Sequence, residues 1–131
     1  MDKLLFSLPV HEMPEIVRDQ IENINYFCPG SYICIHVSAG SAHLMEDFRR
    51  HCDFENVFIN PISYKTEWNS GLLHTHIGNY LYALERGASF KKIVLMSSNE
   101  LLVKHGLEEY VSQYAMGCHT QIYDITADWG G

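Results

Sequence analysis

Lys3-Leu-Leu-Phe-Ser-Leu-Pro-Val10 is a short, nearly continuous apolar run, the pattern of a strand covered on both faces. Pro9 has no N–H to give to a neighbouring strand, so pairing is expected to stop there and a loop, His11-Glu12-Met13-Pro14, to follow. From Glu15, Ile16, Val17, Ile21, Ile24 and Phe27 recur at helical spacing among polar residues, and Cys28-Pro29-Gly30 ends that helix. The plan then repeats. Tyr32-Ile-Cys-Ile-His-Val37 reads as a strand, Ser38-Ala-Gly-Ser41 as a turn, and Ala42 to His51 as a helix with Leu44, Met45 and Phe48 inward.

Asn56-Val-Phe-Ile59 is a third strand, followed by a longer loop from Asn60 to Asn69. Leu72, Leu73, Ile77, Tyr80, Leu81 and Leu84 fit one face of a helix closed by Gly87. Lys92-Ile-Val-Leu-Met96 is the cleanest buried strand in the sequence, a helix runs from about Gly106 to Tyr114, and Gln121 to Ile125 is a last strand candidate. Alternating strands and helices at these spacings predict right-handed crossovers and a three-layer, Rossmann-like α/β sandwich on a mostly parallel sheet. Such sheets bind ligands beyond the carboxyl ends of their strands. That rule selects the loops after Val10, Val37 and Met96, which bring Val10, His11 and Glu12, then Ser38, then Ser97, Ser98, Asn99 and Glu100 to one edge.

At 131 residues the chain has room for a single domain, residues 1–131, with one core. An apolar fraction of 47% and a charged fraction of 19% are those of a globular protein. The formal charge of −7 argues against nucleic acid as a partner, because backbone phosphates are held by clustered Lys and Arg. Cys28, Cys34, Cys52 and Cys118 form no C-x-x-C pair and the first residues do not read as a secretory signal with a basic start and apolar core, so reduced thiols in a cytoplasmic protein are expected. No apolar run approaches the roughly 20 residues that cross a bilayer.

Phe6-Ser-Leu-Pro-Val-His11, Tyr32-Ile-Cys-Ile-His-Val37, Asn56-Val-Phe-Ile59 and Ile93-Val-Leu-Met-Ser-Ser-Asn-Glu100, in that order, resemble the N-terminal half of the core-2/I-branching glycosyltransferases and related bacterial glycosyltransferases. The resemblance implies a partial GT-A fold whose Rossmann-like half binds a nucleotide sugar such as a UDP-sugar, for transfer to a saccharide or glycoconjugate acceptor. It implies that Val10, His11 and Ser38 line the nucleoside and that Ser97 to Glu100 lie near the donor phosphates, with Glu100 in the acidic position. Many members of that family carry Asp where this chain has Ser38. A divalent metal, Mn²⁺ or Mg²⁺, would bind at Glu100 if the transfer used one. A single carboxylate is an ambiguous ligand set, and the family lacks a D-x-D motif and acts without metal, so no tightly bound ion is expected. The family's acceptor site, general base and diphosphate-neutralising residues lie in its second half. The chain is therefore expected to be the donor half of a longer polypeptide, with no catalytic residue assigned, and an incomplete sheet would favour self-association.

Other residues read more simply. His36 alternates with apolar neighbours and is expected to be a satisfied sheet histidine, and Cys34 a small buried hydrophobe rather than a nucleophile. His74 and His76 stand two apart on a helix, too far around the axis to share a metal. Asn69 or Ser70 is the expected cap of the third helix, after Trp68, and Ser97 to Glu100 has the Ser-x-x-Glu pattern of a capping box. Tyr26, Phe27, Tyr80, Tyr82, Tyr110 and Tyr114 are spaced like packing residues. A non-catalytic nucleotide-binding or protein-interaction module on a flavodoxin-like sheet is the alternative reading. A small hydrolase finds no G-x-S-x-G elbow to support it.

Overall fold

The computed structural model describes residues 3–65, 71–97, 101–102 and 105–112. Their elements are β1 (Leu4–Val10), α1 (Pro14–Phe27), β2 (Tyr32–Val37), a 3₁₀ segment (Ala39–Leu44), α2 (Met45–His51), β3 (Val57–Asn60), α3 (Leu72–Glu85), β4 (Lys92–Leu95) and α4 (Leu107–Ser112). All strand pairs are parallel, in the order β3-β2-β1-β4. The chain is thus an α/β, Rossmann-like sandwich of three layers. Gln121 to Ile125 lies outside the described residues, as do Trp68, Asn69, Ser70 and Cys118.

Strand alternation sorts the core into two faces. Leu4, Phe6, Leu8 and Val10 of β1 and Ile33, Ile35 and Val37 of β2 pack with Val17, Ile21 and Ile24 of α1 and Phe48 of α2. On the other face Leu5 and Cys34 meet Ala83 of α3, with Phe58 and Ile93 beside them. The assignment of helices to faces follows from the route of the chain. Stepping from β1 through β2 to β3 keeps α1 and α2 on one side, and returning from β3 past β1 to β4 sends α3 to the other if every crossover has the same hand. The remaining short segment is tied down by a side-chain clamp: Asn23 Nδ2 donates to the Leu102 carbonyl at 2.9 Å and the Leu102 N–H donates to Asn23 Oδ1 at 2.8 Å.

Several local expectations are corrected. Pairing does not stop at Pro9, which sits opposite His36 inside the β1–β2 ladder. The Met96 N–H bonds the Ser7 carbonyl at 3.1 Å and the Ser38 N–H bonds the Val10 carbonyl at 3.0 Å, so Ser7 and Pro9 point their backbone groups toward β4 and Val10 points toward β2. Because β4 ends opposite Ser7, the missing N–H of Pro9 faces no strand. The helix expected from Ala42 is α-helical only from Met45, after the 3₁₀ segment. Gly71, with φ 87°, caps α3 in place of Asn69 or Ser70, and its carbonyl accepts from the Thr75 hydroxyl at 2.9 Å.

Two larger differences concern burial. Among the described residues β4 is the last strand of the sheet and is only partly buried, with Leu95 55% exposed. On α3 the apolar residues that the periodicity gathered on one face point outward: Leu73 is 71% exposed, while Thr75, His76, Asn79 and Ala83 are buried against the sheet. Ile16, Tyr26, Tyr80 and Tyr110 are likewise exposed rather than core.

Candidate functional site

The carboxyl ends of all four strands share one edge, and the direction of the connections reverses between β1 and β4. At such a switch point the loops leave on opposite faces and open a crevice. The structure brings together the residues expected there insofar as it describes them. Val10 and Val37 are register partners, Ser38 is bonded to Val10 through its N–H, and the Ser41 hydroxyl donates to the His11 carbonyl. Ser97 follows β4 on the same edge, its carbonyl accepting from Gln20 Nε2 of α1 at 2.9 Å. Ser98, Asn99 and Glu100 lie outside the described residues.

The side chains differ in what they can offer. Val10 is buried in the core and its carbonyl is taken by Ser38, whereas His11 and Glu12 are exposed, with Nε2 and Oε1 3.5 Å apart. Between them and α1, Met13 has a left-handed backbone, φ 54° and ψ 68°. Pro14 then supplies the first helical residue, where a missing N–H costs nothing. The edge therefore presents a histidine and a carboxylate on a tightly turned loop, beside a buried Ser38.

Directly beneath this edge lies a buried polar band that sequence reasoning missed. Ser7, His36 and Asn60 sit on the α3 side of β1, β2 and β3, and α3 supplies His76 and Asn79 to meet them. Asn79 uses both hydrogens of its amide, toward Ser7 Oγ at 3.0 Å and the Cys34 carbonyl at 3.1 Å, and its Oδ1 accepts from Asn60 Nδ2 at 3.3 Å. Asn60 Oδ1 in turn accepts from the Ile62 N–H at 3.0 Å. Ser7 Oγ, accepting from Asn79, is left to donate to His76 Nδ1 at 2.7 Å.

His36 connects the band to the edge. Its Nε2 accepts the Tyr64 N–H at 2.7 Å, which fixes the neutral tautomer with the proton on Nδ1, an atom that among the described residues has no partner beyond its own backbone carbonyl. The Tyr64 ring stacks on His36 with centroids 5.5 Å apart, and the Tyr64 carbonyl accepts from the Ala39 N–H at 3.1 Å. Glycine at 78 makes room for this ring, since a Cβ there would come within 2.8 Å of Tyr64 Cε2. The segment after β3 is thereby fastened to the carboxyl end of β2 and walls the edge. Burial lowers the pKa of both His36 and His76 below the ordinary histidine value, and for His36 the nearby His76 lowers it further against the opposing pull of its own carbonyl.

The Ser7–His76 contact has the spacing of a nucleophile and its base. Ser7 is wholly buried, and among the described residues no carboxylate lies within ion-pair distance of His76 to orient it. The band is therefore a scaffold for the edge. The signal that could have revealed it is a shared interruption: one polar residue in each of three apolar strands, and Thr75, His76 and Asn79 opposite the leucines of one helix. Cys34 matches its expected role, for burial pushes its thiol up to about 12, and burial pushes Cys28 and Cys52 up to about 11. With thiolate this scarce, iodoacetamide should leave these three cysteines unmodified in the native chain at neutral pH and alkylate them on denaturation, as read by peptide mass spectrometry. Rapid native labelling of Cys34 would contradict the burial.

Among the described residues no group of three or more His, Cys, Asp or Glu is arranged to hold a metal ion, and no helix is long and apolar enough to cross a membrane. No protein-family model matches the chain, and no curated protein matches it.

Proposed function

We propose that the chain binds a nucleotide-sugar donor at the carboxyl edge of its sheet, as the donor half of a glycosyltransferase that transfers the sugar to a saccharide or glycoconjugate acceptor. The observation that carries this reading is the strand order β3-β2-β1-β4, whose reversal lies between β1 and β4, and it is at such a reversal, here between the loops that begin at His11 and Ser97, that sheets of this kind bind ligands. The segments that resemble the core-2/I-branching enzymes include those that begin at that edge with His11, Ser38 and Ser97. In this reading His11 and Glu12 contact the nucleoside or ribose, Ser38 supports them, and Ser97 to Glu100 approach the diphosphate. Glu100 is the place for Mn²⁺ or Mg²⁺ if the transfer uses one. Free thiols at Cys28, Cys34 and Cys52 accord with a reducing compartment, and we assign the chain to the cytoplasm.

Thermal denaturation with UDP and several UDP-sugars, with and without Mn²⁺, tests the reading. A ligand at about 100 times its Kd adds about 2.7 kcal/mol to the native state, so Tm should rise by several degrees. His11→Ala should reduce that rise while leaving the unliganded Tm within about 1 °C, since the His11 side chain is exposed. If no nucleotide shifts Tm, the donor reading fails. The alternative of a non-catalytic interaction module then takes its place, supported by the apolar outer face of α3.

A further inference from the structure

α3 is turned inside out for a helix on a sheet. At about 100° per residue, Leu73, Ile77, Leu81 and Leu84 fall within roughly 80° of one another, on the side opposite Thr75, Asn79 and Ala83. Those four are 71%, 46%, 57% and 44% exposed, and Tyr80 on their flank is 40% exposed. A surface helix ordinarily shows its polar stripe to water, so a helix that spends its polar residues on the sheet and shows leucines outward has a face made for another apolar surface.

We infer that this face pairs with the same face of a second copy of the chain, α3 against α3, antiparallel across a twofold axis. Three observations select a second copy. First, the stripe is close to palindromic about residue 79: in an antiparallel pair Ile77 of one copy meets Leu81 of the other, and Leu73 falls within one residue of Leu84, which approaches the self-complementarity a twofold interface requires. Second, residues 72–84 contain no Asp, Glu, Lys or Arg, so two chains of formal charge −7 meet where neither presents charge. At the ends of the pair, Glu85 of one copy falls beside His74 and the amino-terminal dipole of the other helix. Third, the exposed apolar side chains offer on the order of 500 Å² per copy, hence on the order of 1,000 Å² in the pair when fully buried, which is the size of a weak, reversible interface. Helix packing across such a seam leaves the carboxyl edge of each sheet open. Pairing and donor binding can therefore be measured separately.

Sedimentation equilibrium of the 131-residue chain from about 1 to about 100 µM should show a monomer–dimer equilibrium. Ile77→Glu and Leu81→Lys, both at outward positions and checked for folding by circular dichroism, should each weaken the dimer at least about tenfold. The double variant should recover most of that loss, because the new carboxylate at 77 of one copy faces the new ammonium at 81 of the other. A wild-type chain that stays monomeric throughout, or a dimer indifferent to both single substitutions, overturns the pairing. So does open-ended polymerisation. Sedimentation of a monomer with phosphatidylglycerol vesicles, abolished by Ile77→Glu, would assign the face to lipid and overturn it equally.

Discussion

Replacing Asn79 with Asp, a change of almost no volume, is expected to cost about 3 kcal/mol or more and to bring the domain close to its unfolding threshold. Asn79 is fully buried, and both of its amide hydrogens are committed, one to Ser7 Oγ and one to the Cys34 carbonyl. A carboxylate has no hydrogen to give, so it would set an oxygen against the Cys34 carbonyl and place an unpaired charge on the α3 face of the sheet. Nor can it be rehydrated there, since Ser7, Cys34 and Thr75 around it are themselves closed to solvent. Asn79→Ala should also cost about 3 kcal/mol, through lost packing and the stranded partners at Ser7, Cys34 and Asn60. The clamp residue Asn23 supplies the contrast. Asn23→Asp loses one bond, to the partly buried Leu102 carbonyl, and should cost about 1 kcal/mol. Urea midpoints at neutral pH measure all three. Equal, small losses for Asn79→Asp and Asn23→Asp would show that the band contributes nothing to stability.

Stability should also fall as the solution is acidified, because His36 and His76 are held neutral. Burial lowers both folded-state pKa values, so between those values and the unfolded value of about 6.5 the unfolded chain binds more protons than the native one. The stabilisation is therefore complete above about pH 6.5 and is lost as pH drops through that value toward the folded ones. Each histidine contributes a slope of up to about 1.4 kcal/mol per pH unit in that window. Protonating His36 has a specific structural consequence. Its Nε2 accepts the Tyr64 N–H, and a proton placed there would break that bond and release the segment after β3 from the end of β2. Unfolding free energies between about pH 7.5 and pH 5 should thus decline, and His76→Gln should remove about half of the slope. A flat profile would mean that these rings are more hydrated than the packing implies.

The strands and helices were legible because the first two units follow simple rules. β2 runs from Tyr32 to Val37 as its apolar run indicates, and α1 ends before Cys28-Pro29-Gly30. What escaped was which way a face points. Apolar spacing on α3 defines a stripe correctly, yet periodicity gives only an axis of asymmetry, and here the polar side goes inward because Ser7, Cys34 and Asn60 supply hydrogen-bonding partners for it. Burial of β4 was overestimated for a related reason. Lys92 to Leu95 is as apolar as an interior strand, but its place as the last strand among the described residues is set by topology, which no local window contains. Pro9 was misjudged because a missing donor matters only on the side where a neighbour exists. At the site, the edge that gathers Val10, His11, Glu12, Ser38 and Ser97 was readable from the alternation of strands and helices, which puts the carboxyl ends of parallel strands on one side. The scaffold under it was not, since its members lie between 7 and 79 in the chain and each looks unremarkable among its neighbours.

The turn between β1 and α1 has almost no slack. Its entry is held where the Ser41 hydroxyl reaches the His11 carbonyl, and its exit where the Met13 carbonyl accepts the Ile16 and Val17 N–H groups at 3.0 and 3.2 Å. Between these anchors the left-handed Met13 and the ring of Pro14 leave the backbone few alternatives. A molecule arriving at His11 or Glu12 therefore meets a surface whose configurational entropy was surrendered when the chain folded, so little of its own binding free energy is consumed in freezing the loop.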